Sequence, residues 1–282
     1  MSVQLGIVMD AIETINPAKD STFAMLLEAQ ARGWSIHYMQ QHDLFFKDKN
    51  VFAHTQLITV EDHPQHWFQA QQPKILALDQ LDLILMRKDP PVDAHDLYTT
   101  YLSERAEVTG TGVVNRPRAL RDVNEKLFTL WFPECCPPTV VSSDIDLLRE
   151  FLHTHGDIIC KPLDGMGGQS IFRLQKTDFN ISVVFELLTQ KGVRPIIVQR
   201  FIPEIADGDK RILLIDGEPV PYALARIPAV GETRGNLAAG GHGVGVELSA
   251  RDRWICQQVG PILKERGLLF VGLDVIGDYL TE

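Results

Sequence analysis

The chain has 282 residues, of which 45% are hydrophobic and 23% charged, and its formal net charge is −10. This length predicts two or three globular units, and the acidic balance excludes the large basic surface that nucleic-acid binding needs. No apolar run approaches the ~18 residues of a membrane helix, and no signal peptide begins the chain. The cysteines (135, 136, 160 and 256) lack metal spacing, so reduced thiols in a cytoplasmic protein are expected.

The first predicted unit, residues 1–121, alternates strands and helices. Apolar runs of strand length lie at 5–9, 34–39, 81–86 and 112–115. A helix capped by Asp20 or Ser21 ends at Gly33, and a second helix is predicted at 94–108. A β-α-β start predicts a parallel sheet with helices on its faces.

Charges follow the third of these strands, at Arg87, Lys88 and Asp89. The carboxyl ends of parallel strands are where open α/β sheets bind ligands. Two prolines follow these charges, so a rigid solvated loop is the alternative. Arg87 is therefore a candidate substrate residue.

The second predicted unit, residues 122–200, begins with a helix near 121–128 and a strand at 138–141. Ser143 or Asp144 caps a helix that ends at Gly156. A helix at 181–191 and a strand at 195–199 close the unit.

A glycine-rich loop, residues 161–170, lies between two short strands of this unit. Glycines at 165, 167 and 168 allow consecutive N–H groups to converge on one anion, and Lys161 adds a charge suited to phosphate. The spacing matches neither a Walker A loop nor a dinucleotide motif. The pattern indicates a hairpin that closes over phosphates, with an ordinary hairpin turn as the alternative.

The third predicted unit, residues 201–282, opens with a hairpin at Asp216-Gly217. This hairpin brings Arg211 and Arg226 towards one end, where two guanidiniums suit phosphate or carboxylate. Arginines that serve only solubility are the alternative.

A glycine-rich segment follows at 228–245 and contains Arg234, Asn236 and His242. Loops of this length are typical of lids, binding loops or disorder. A lid that closes over substrate is predicted, with disorder as the alternative.

Asp274 stands alone in an apolar strand near the end of the chain. With a turn at 277–279 it is expected to lie opposite Glu282 on one face of a hairpin. Two facing carboxylates favour a Mg²⁺ that carries ATP phosphates, and a capped structural carboxylate is the alternative.

Together these segments resemble the ATP-grasp ligases, and more narrowly the bacterial glutathione synthetases. The motifs that carry the resemblance span nearly the whole chain, and they include Lys161-Pro-Leu-Asp-Gly-Met-Gly-Gly168, Gly208-Asp-Lys-Arg211 and Gly231-Glu-Thr-Arg-Gly-Asn-Leu-Ala-Ala-Gly-Gly241. The resemblance implies an α/β fold with an N-terminal parallel-sheet domain and a two-part ATP-grasp domain. It also implies that ATP drives the condensation of γ-glutamylcysteine with glycine through an acyl phosphate, in a homo-oligomer, a tetramer by resemblance.

The resemblance assigns roles to individual positions. It places Arg211, Arg226 and Arg234 in catalysis, and Asp274 and Glu282 as ligands of Mg²⁺, or of Mn²⁺ in its place. The positions that it assigns to ATP are Lys126, Lys161, Gly165, Met166, Gly167, Gly168, Gln199, Arg200, Phe201, Ile202 and Asp209.

The end of the chain departs from the family pattern. In that pattern an asparagine ligand follows the metal-binding glutamate by two residues, with further strand and helix, whereas this chain stops at Glu282. A truncated last unit is therefore expected, as a fragment or as a shortened form. A ligase for another carboxylate and amine, or an ATP-binding module without turnover, is the alternative function.

Overall fold

The computed structural model describes residues 2–90, 92–165, 167–229, 231–232, 234–235 and 240–282. Contacts between residues divide the chain into two compact units, Met1–Asp122 and Val123–Glu282. Each unit has its own sheets and its own buried core.

Unit 1 is built on one sheet. Its helices are α1 (Ser21–Ala31), α2 (Ala94–Val108) and α3 (Pro117–Asp122). Its strands within the described residues are β1 (Gln4–Met9), β2 (Ser35–Met39), β3 (Leu44–Lys47), β4 (Asn50–Val60), β5 (Phe68–Ala70), β6 (Lys74–Ala77), β7 (Leu83–Arg87) and β8 (Gly112–Val114). The sheet order is β3-β4-β2-β1-β7-β8, and β5 and β6 also pair with β4.

The centre of this sheet is parallel, as predicted, because β2, β1, β7 and β8 run in one direction. Helix α1 begins where the side chain of Asp20 accepts a hydrogen bond from the N–H of Phe23. Phe23 and Leu26 then pack with Ile7 and Ile36 in a fully buried cluster. One apolar face of α1 therefore sets its position on the sheet.

The antiparallel strands β3 to β6 are absent from the sequence prediction. The turn between β3 and β4 contains Asp48 and Lys49, whose φ values are 49° and 79°. Residues other than glycine rarely adopt this left-handed region, so the usual glycine signal for a hairpin is missing there.

Unit 2 contains two antiparallel sheets. The first has the order β11-β10-β12-β9, from β9 (Thr139–Ser142), β10 (Asp157–Pro162), β11 (Phe172–Gln175) and β12 (Ile196–Arg200), and it is covered by α4 (Ile145–His155) and α5 (Ile181–Leu188). The second has the order β15-β14-β13-β16-β17, from β13 (Asp209–Ile215), β14 (Glu218–Ile227), β15 (His242–Glu247), β16 (Phe270–Ile276) and β17 (Tyr279–Leu280). Helix α6 (Ala250–Arg266) precedes β16.

The hairpins predicted at the glycine-rich loop and at Asp216-Gly217 are present. Strands β10 and β11 pair across the glycine-rich loop, and Asp216 and Gly217, at φ 53° and 83°, close the turn between β13 and β14. Positive φ at both central residues is the backbone of a tight hairpin turn.

The predicted helix start at 121–128 is wrong. Helix α3 ends at Asp122, and only a short 3-10 helix follows at Leu127–Trp131. Between them the side-chain oxygen of Asn124 accepts hydrogen bonds from the N–H groups of Lys126 and Leu127. Such local side-chain bonds compete with a helix, so the chain turns here instead.

The predicted helix at 181–191 is too long. Helix α5 ends at Leu188, and Gln190 and Lys191 have φ values of 50° and 60°. The left-handed backbone at these two residues turns the chain before Gly192.

Candidate functional site in unit 2

One cavity lies between the two sheets of unit 2. The predicted site residues that line it are Lys126, Lys161, Gly165, Gly167, Gly168, Gln199, Arg200, Phe201, Ile202, Asp209, Arg234 and Glu282. The structure therefore brings together positions that are up to 156 residues apart in the chain. Met166 lies outside the described residues, so its placement is not part of this geometry.

Lys126 is the most buried cation of the cavity wall. Its side chain is 5% exposed, and Nζ lies 2.8 Å from carboxylate oxygens of both Glu125 and Glu282. Nζ also donates to the carbonyl of Gly165 at 2.8 Å. Burial opposes its charge, but the two carboxylates outweigh burial and raise the pKa of its ammonium. Lys126 thus stays cationic and holds the glycine-rich loop.

Lys161 is the next-to-last residue of β10, the strand that precedes that loop. Its Nζ donates to Oε1 of Gln199 at 3.1 Å, and Nε2 of Gln199 lies 3.3 Å from the hydroxyl of Thr139. Burial lowers the pKa of Lys161, although carboxylates such as Glu282 and Asp209 act against it. A desolvated ammonium with one neutral partner is suited to receive an anion.

The glycine-rich loop and the predicted lid are in contact. Gly167 and Gly168 have φ values of 63° and 79°, which only glycine adopts readily. Nη1 of Arg234 donates to the carbonyl of Gly168 at 3.1 Å, and Arg234 also pairs with Glu232. Asn236 and other positions of the predicted lid lie outside the described residues, and His242 begins β15.

Arg211 and Arg226 meet at one carboxylate, as the predicted hairpin required. Nη2 of Arg211 donates to Asp274 at 3.0 Å, and Nη2 of Arg226 lies 2.8 Å from the same oxygen. Burial acts to raise the pKa of Asp274, but the two guanidiniums outweigh burial and lower it. Asp274 is therefore ionised inside the protein.

The pKa of Asp209 shifts in the opposite direction. Arg226 also bonds to Asp209, yet burial, with the nearby charge of Asp274, raises the pKa of Asp209 to about 7. Its Oδ1 is buried and has no hydrogen-bond partner among the described residues. A buried oxygen without a partner is costly, so this atom is suited to a ligand.

The expected turn at 277–279 is one residue too long, although the N–H of Asp274 still donates to the carbonyl of Glu282. The turn contains only Gly277 and Asp278, and the register pairs Val275 with Leu280, which sets Thr281 opposite Asp274. The two side chains have different cationic partners. Asp274 contacts the two arginines, and Glu282 contacts Lys126.

The fit of a metal ion follows from these donors. Among the described residues no group of three or more His, Cys, Asp or Glu side chains is arranged to hold a metal by itself. Mg²⁺, however, usually takes one or two carboxylates together with phosphates and water. Glu282 at the cavity wall and the partnerless oxygen of Asp209 are hard donors of this kind. The residues fit a hard divalent cation that arrives with a nucleotide.

Part of the cavity wall is apolar, and sequence reasoning missed this part. Ile159, Ile171, Ile205 and Ile276 line the cavity beside Phe201. The guanidinium of Arg173 lies 3.6 Å from the centre of the Phe201 ring and packs on it. Such a wall suits a flat heterocycle, but alternating apolar residues in a strand do not distinguish a ligand wall from a core.

Arg87 is the last residue of β7, in unit 1. Nε of Arg87 donates to the hydroxyl of Thr22 at 3.0 Å, and Nη2 donates to that of Ser21 at 3.1 Å. Both hydroxyls lie in the first turn of α1, at the carboxyl end of the parallel strands. Burial lowers the pKa of Arg87, and Asp89 and Asp20 act against this.

Solved structures show which class this architecture belongs to. The chain superposes over 99% of its length on D-cycloserine synthetase DcsG, with a TM-score of 0.66 and 15% identity, covering 90% of that chain. The ATP-grasp ligase PsnB, in a complex with Mg and ADP, matches with a TM-score of 0.62 and 18% identity, over 100% of this chain and 89% of that one. The fold is therefore that of the ATP-grasp proteins.

Sequence comparisons narrow the class. Residues 3–121 match the prokaryotic glutathione synthetase N-terminal domain, and residues 125–282 match the prokaryotic glutathione synthetase ATP-grasp domain. The glutathione synthetase of Pseudomonas aeruginosa is 61% identical over all of this chain and 89% of its own length. That of Photorhabdus laumondii is 58% identical over 99% of this chain and 89% of its length. The chain belongs to the prokaryotic glutathione synthetase family.

None of the described helices is both long and apolar enough to cross a bilayer.

Proposed function

We propose that this chain is an ATP-dependent ligase that joins γ-glutamylcysteine to glycine and forms glutathione. The observation that carries the proposal is the cavity of unit 2, where Lys126, Lys161 and Arg234 surround a glycine-rich loop in a chain of this family. Its substrates are accordingly small molecules: ATP, the dipeptide and glycine.

The reaction needs two displacements. A carboxylate oxygen of the dipeptide attacks the γ-phosphorus of ATP, so that an acyl phosphate forms and ADP leaves. The amine of glycine then attacks the acyl carbon, loses a proton and expels inorganic phosphate. No covalent bond to the protein forms, so the protein acts by positioning and by electrostatic stabilisation.

Contacts among the cavity residues support the proposed binding of the nucleotide. Lys126 and Lys161 hold phosphate oxygens, and the N–H groups of the loop around Gly165, Gly167 and Gly168 close over them. The segment from Gln199 to Ile202 borders the base. Asp209 offers its partnerless oxygen to the nucleotide or to the cation that accompanies it.

The acyl phosphate side depends on the arginines. Arg211 is 46% exposed at its side chain although it holds Asp274, so part of its guanidinium is accessible to an anion. Arg226 is buried and fixes the carboxylates of Asp209 and Asp274. Arg234 closes the cavity against the loop and keeps water from the acyl phosphate.

A divalent cation is expected with the nucleotide, Mg²⁺ in the first place and Mn²⁺ as a substitute. Asp274 and Glu282 are its proposed ligands, and Asp209 lies in the same network of charges. When bound, the cation neutralises charge on the β- and γ-phosphates.

Further assignments complete the proposal. Arg87 holds a carboxylate of the dipeptide, because it is a guanidinium at the first turn of a helix. Residues 122–200 and 201–282 act as two parts of the ATP-grasp domain, since each part carries one of the two sheets. The protein is proposed to work in the cytoplasm as a homo-oligomer, a tetramer by family resemblance, and light scattering in solution measures its mass.

The experiment is to measure ADP release by this chain with ATP and Mg²⁺, omitting the dipeptide and glycine one at a time. Release that requires both substrates, together with glutathione detected by mass spectrometry, is the expected result. ADP release that does not require glycine contradicts the proposal. Binding of ATP without any release of ADP contradicts it as well. Replacing glycine by other amines tests the range of acceptors.

A further inference from the structure

Three cationic side chains from three separate elements donate to three successive residues, the two of the β16–β17 turn and the first of β17. Nζ of Lys210, on β13, lies 3.2 Å from the carbonyl of Gly277. Nε of Arg251, on α6, donates to the carbonyl of Asp278 at 3.0 Å. Nη2 of Arg200, at the end of β12, donates to the hydroxyl of Tyr279 at 3.0 Å. We call Lys210, Arg251 and Arg200 the turn clamp.

The turn does not need these cations in order to form. Gly277 has a φ of 55°, which glycine adopts freely, and only two residues separate β16 from β17. The turn of the same length at Asp216-Gly217 is contacted by Lys264, in a pair whose side chains are more than half exposed. The clamp therefore does more than close a hairpin.

Two cations of the clamp are themselves held by further contacts. Lys210 pairs with Asp252, which is 1% exposed and caps the first turn of α6. Arg251 also donates to the carbonyl of Glu134 at 2.8 Å, and its guanidinium lies 4.1 Å from the ring of Trp254. Through the clamp, the turn is held in place relative to β13, α6 and the end of β12.

The two strands that leave this turn carry the carboxylates of the site. Asp274 lies on β16, and its N–H donates to the carbonyl of Glu282 at 2.7 Å. The N–H of Thr281 donates to the carbonyl of Asp274 at 2.8 Å. Thr281 and Glu282 both line the cavity. A shift of the turn therefore moves Asp274 and Glu282 together with the cavity wall.

We propose that the turn clamp is a positioning device that sets the spacing between the pair of carboxylates, Asp274 and Glu282, and the rest of the cavity wall for the divalent cation that accompanies the nucleotide. The proposal rests on the proposed function, because that function requires the cation. Mg²⁺ demands near-ideal octahedral geometry, so a spacing set before the cation arrives favours its binding. Arg200, Lys210 and Arg251 are positioning residues, since they act through the turn.

The first test compares two clamp variants with matched controls. Tyr279→Phe removes only the hydroxyl that Arg200 contacts, and Arg251→Met removes the contact to Asp278. Tyr222→Phe and Arg253→Met change exposed residues of the same types on β14 and α6. The Mg²⁺ concentration for half-maximal activity is expected to rise about tenfold in each clamp variant, as for outer-shell partners of metal ligands. The control variants are expected to keep the Mg²⁺ dependence of the parent chain. In the clamp variants, the KM for glycine and the binding of ATP without Mg²⁺ are expected to stay unchanged.

The second test uses the chain without any ligand. Hydrogen exchange at the amides of Asp274 and Thr281 is expected to speed up in the clamp variants and to stay slow in the controls. This measurement needs no ligase activity, so it separates a failure of the clamp from a failure of the proposed function. Unchanged exchange, or faster exchange with an unchanged Mg²⁺ dependence, overturns the proposal.

Discussion

The two units place their functional charges in different surroundings. At the strand ends of unit 1, Lys88 and Asp10 form a salt bridge of 2.9 Å with side chains 22% and 37% exposed. In unit 2, Arg226 and Asp274 lie 2.8 Å apart with side chains 8% and 4% exposed. The distances are alike, but water screens only the first pair well.

The difference in solvent exposure predicts how each unit responds to the loss of a charge. A solvated ion pair contributes little, and its members tolerate separation. A buried pair leaves an uncompensated charge when one partner is removed, and that charge has no water to solvate it. Substitutions in unit 2 are therefore expected to affect folding as well as catalysis, and those in unit 1 mainly binding.

The largest effect is expected for Arg226→Met. Asp209 and Asp274 both lose a guanidinium inside the protein, so the free energy of unfolding falls by about 3–5 kcal/mol. Urea denaturation measures this loss. Arg211→Met is the matched control, because Arg211 holds the same Asp274 but is 46% exposed. Equal losses in the two variants contradict the role of burial.

The second-largest effect is expected for Lys161→Met, which weakens the binding of the nucleotide. A hydrogen bond to a charged group contributes about 1.5–3 kcal/mol, so the Kd for ATP is expected to rise about 10- to 100-fold. The unfolding free energy is expected to stay close to that of the parent, because burial already disfavours the charge of Lys161. Calorimetric titration measures the Kd, with Lys176→Met at an exposed position as the control. An unchanged Kd removes Lys161 from the phosphate site.

A third variant, Arg87→Met, tests unit 1. The KM for γ-glutamylcysteine is expected to rise about tenfold, for the loss of one charge-assisted hydrogen bond. The KM for ATP is expected to stay constant. Steady-state kinetics with each substrate varied in turn gives both values, and Arg32→Met at the exposed end of α1 is the control. A constant KM for the dipeptide shows that Arg87 is not a substrate residue.

The smallest effect concerns the partly exposed pair of Asp157 and Arg173. Burial acts to raise the pKa of Asp157, but hydrogen bonds from Arg173 and Gln175 outweigh burial and lower it. A lowered pKa in the folded state gives stability that is present above the unfolded pKa of about 4 and is lost as the pH falls through the folded pKa.

Asp157→Asn is therefore expected to cost up to about 1 kcal/mol at pH 7 and almost nothing in strong acid. Denaturation at a series of pH values measures the difference between the parent and the variant. A difference that does not change with pH shows that the ionisation of Asp157 is not its source.

Much of the local structure could be predicted from residues that are close together in the chain. Asp20, Asp144 and Ser249 each cap the helix that follows, because a side-chain oxygen and the N–H groups of the next turn meet over three residues. Asp216-Gly217 forms its hairpin for the same local reason. The lysines and glycines of the cavity were identified through motifs that resemble a family, rather than through their spacing alone.

The partners of the charges could not be predicted in this way. Arg211 and Asp274 are 63 residues apart, and Lys126 and Glu282 are 156 apart, so no local pattern joins them. The caps, the turns and the apolar character of the strands follow from short stretches of sequence, because these features depend on neighbours along the chain. By contrast, Asp274 stays ionised between two arginines while the pKa of Asp209 rises because of the three-dimensional packing, since desolvation depends on what surrounds each carboxylate.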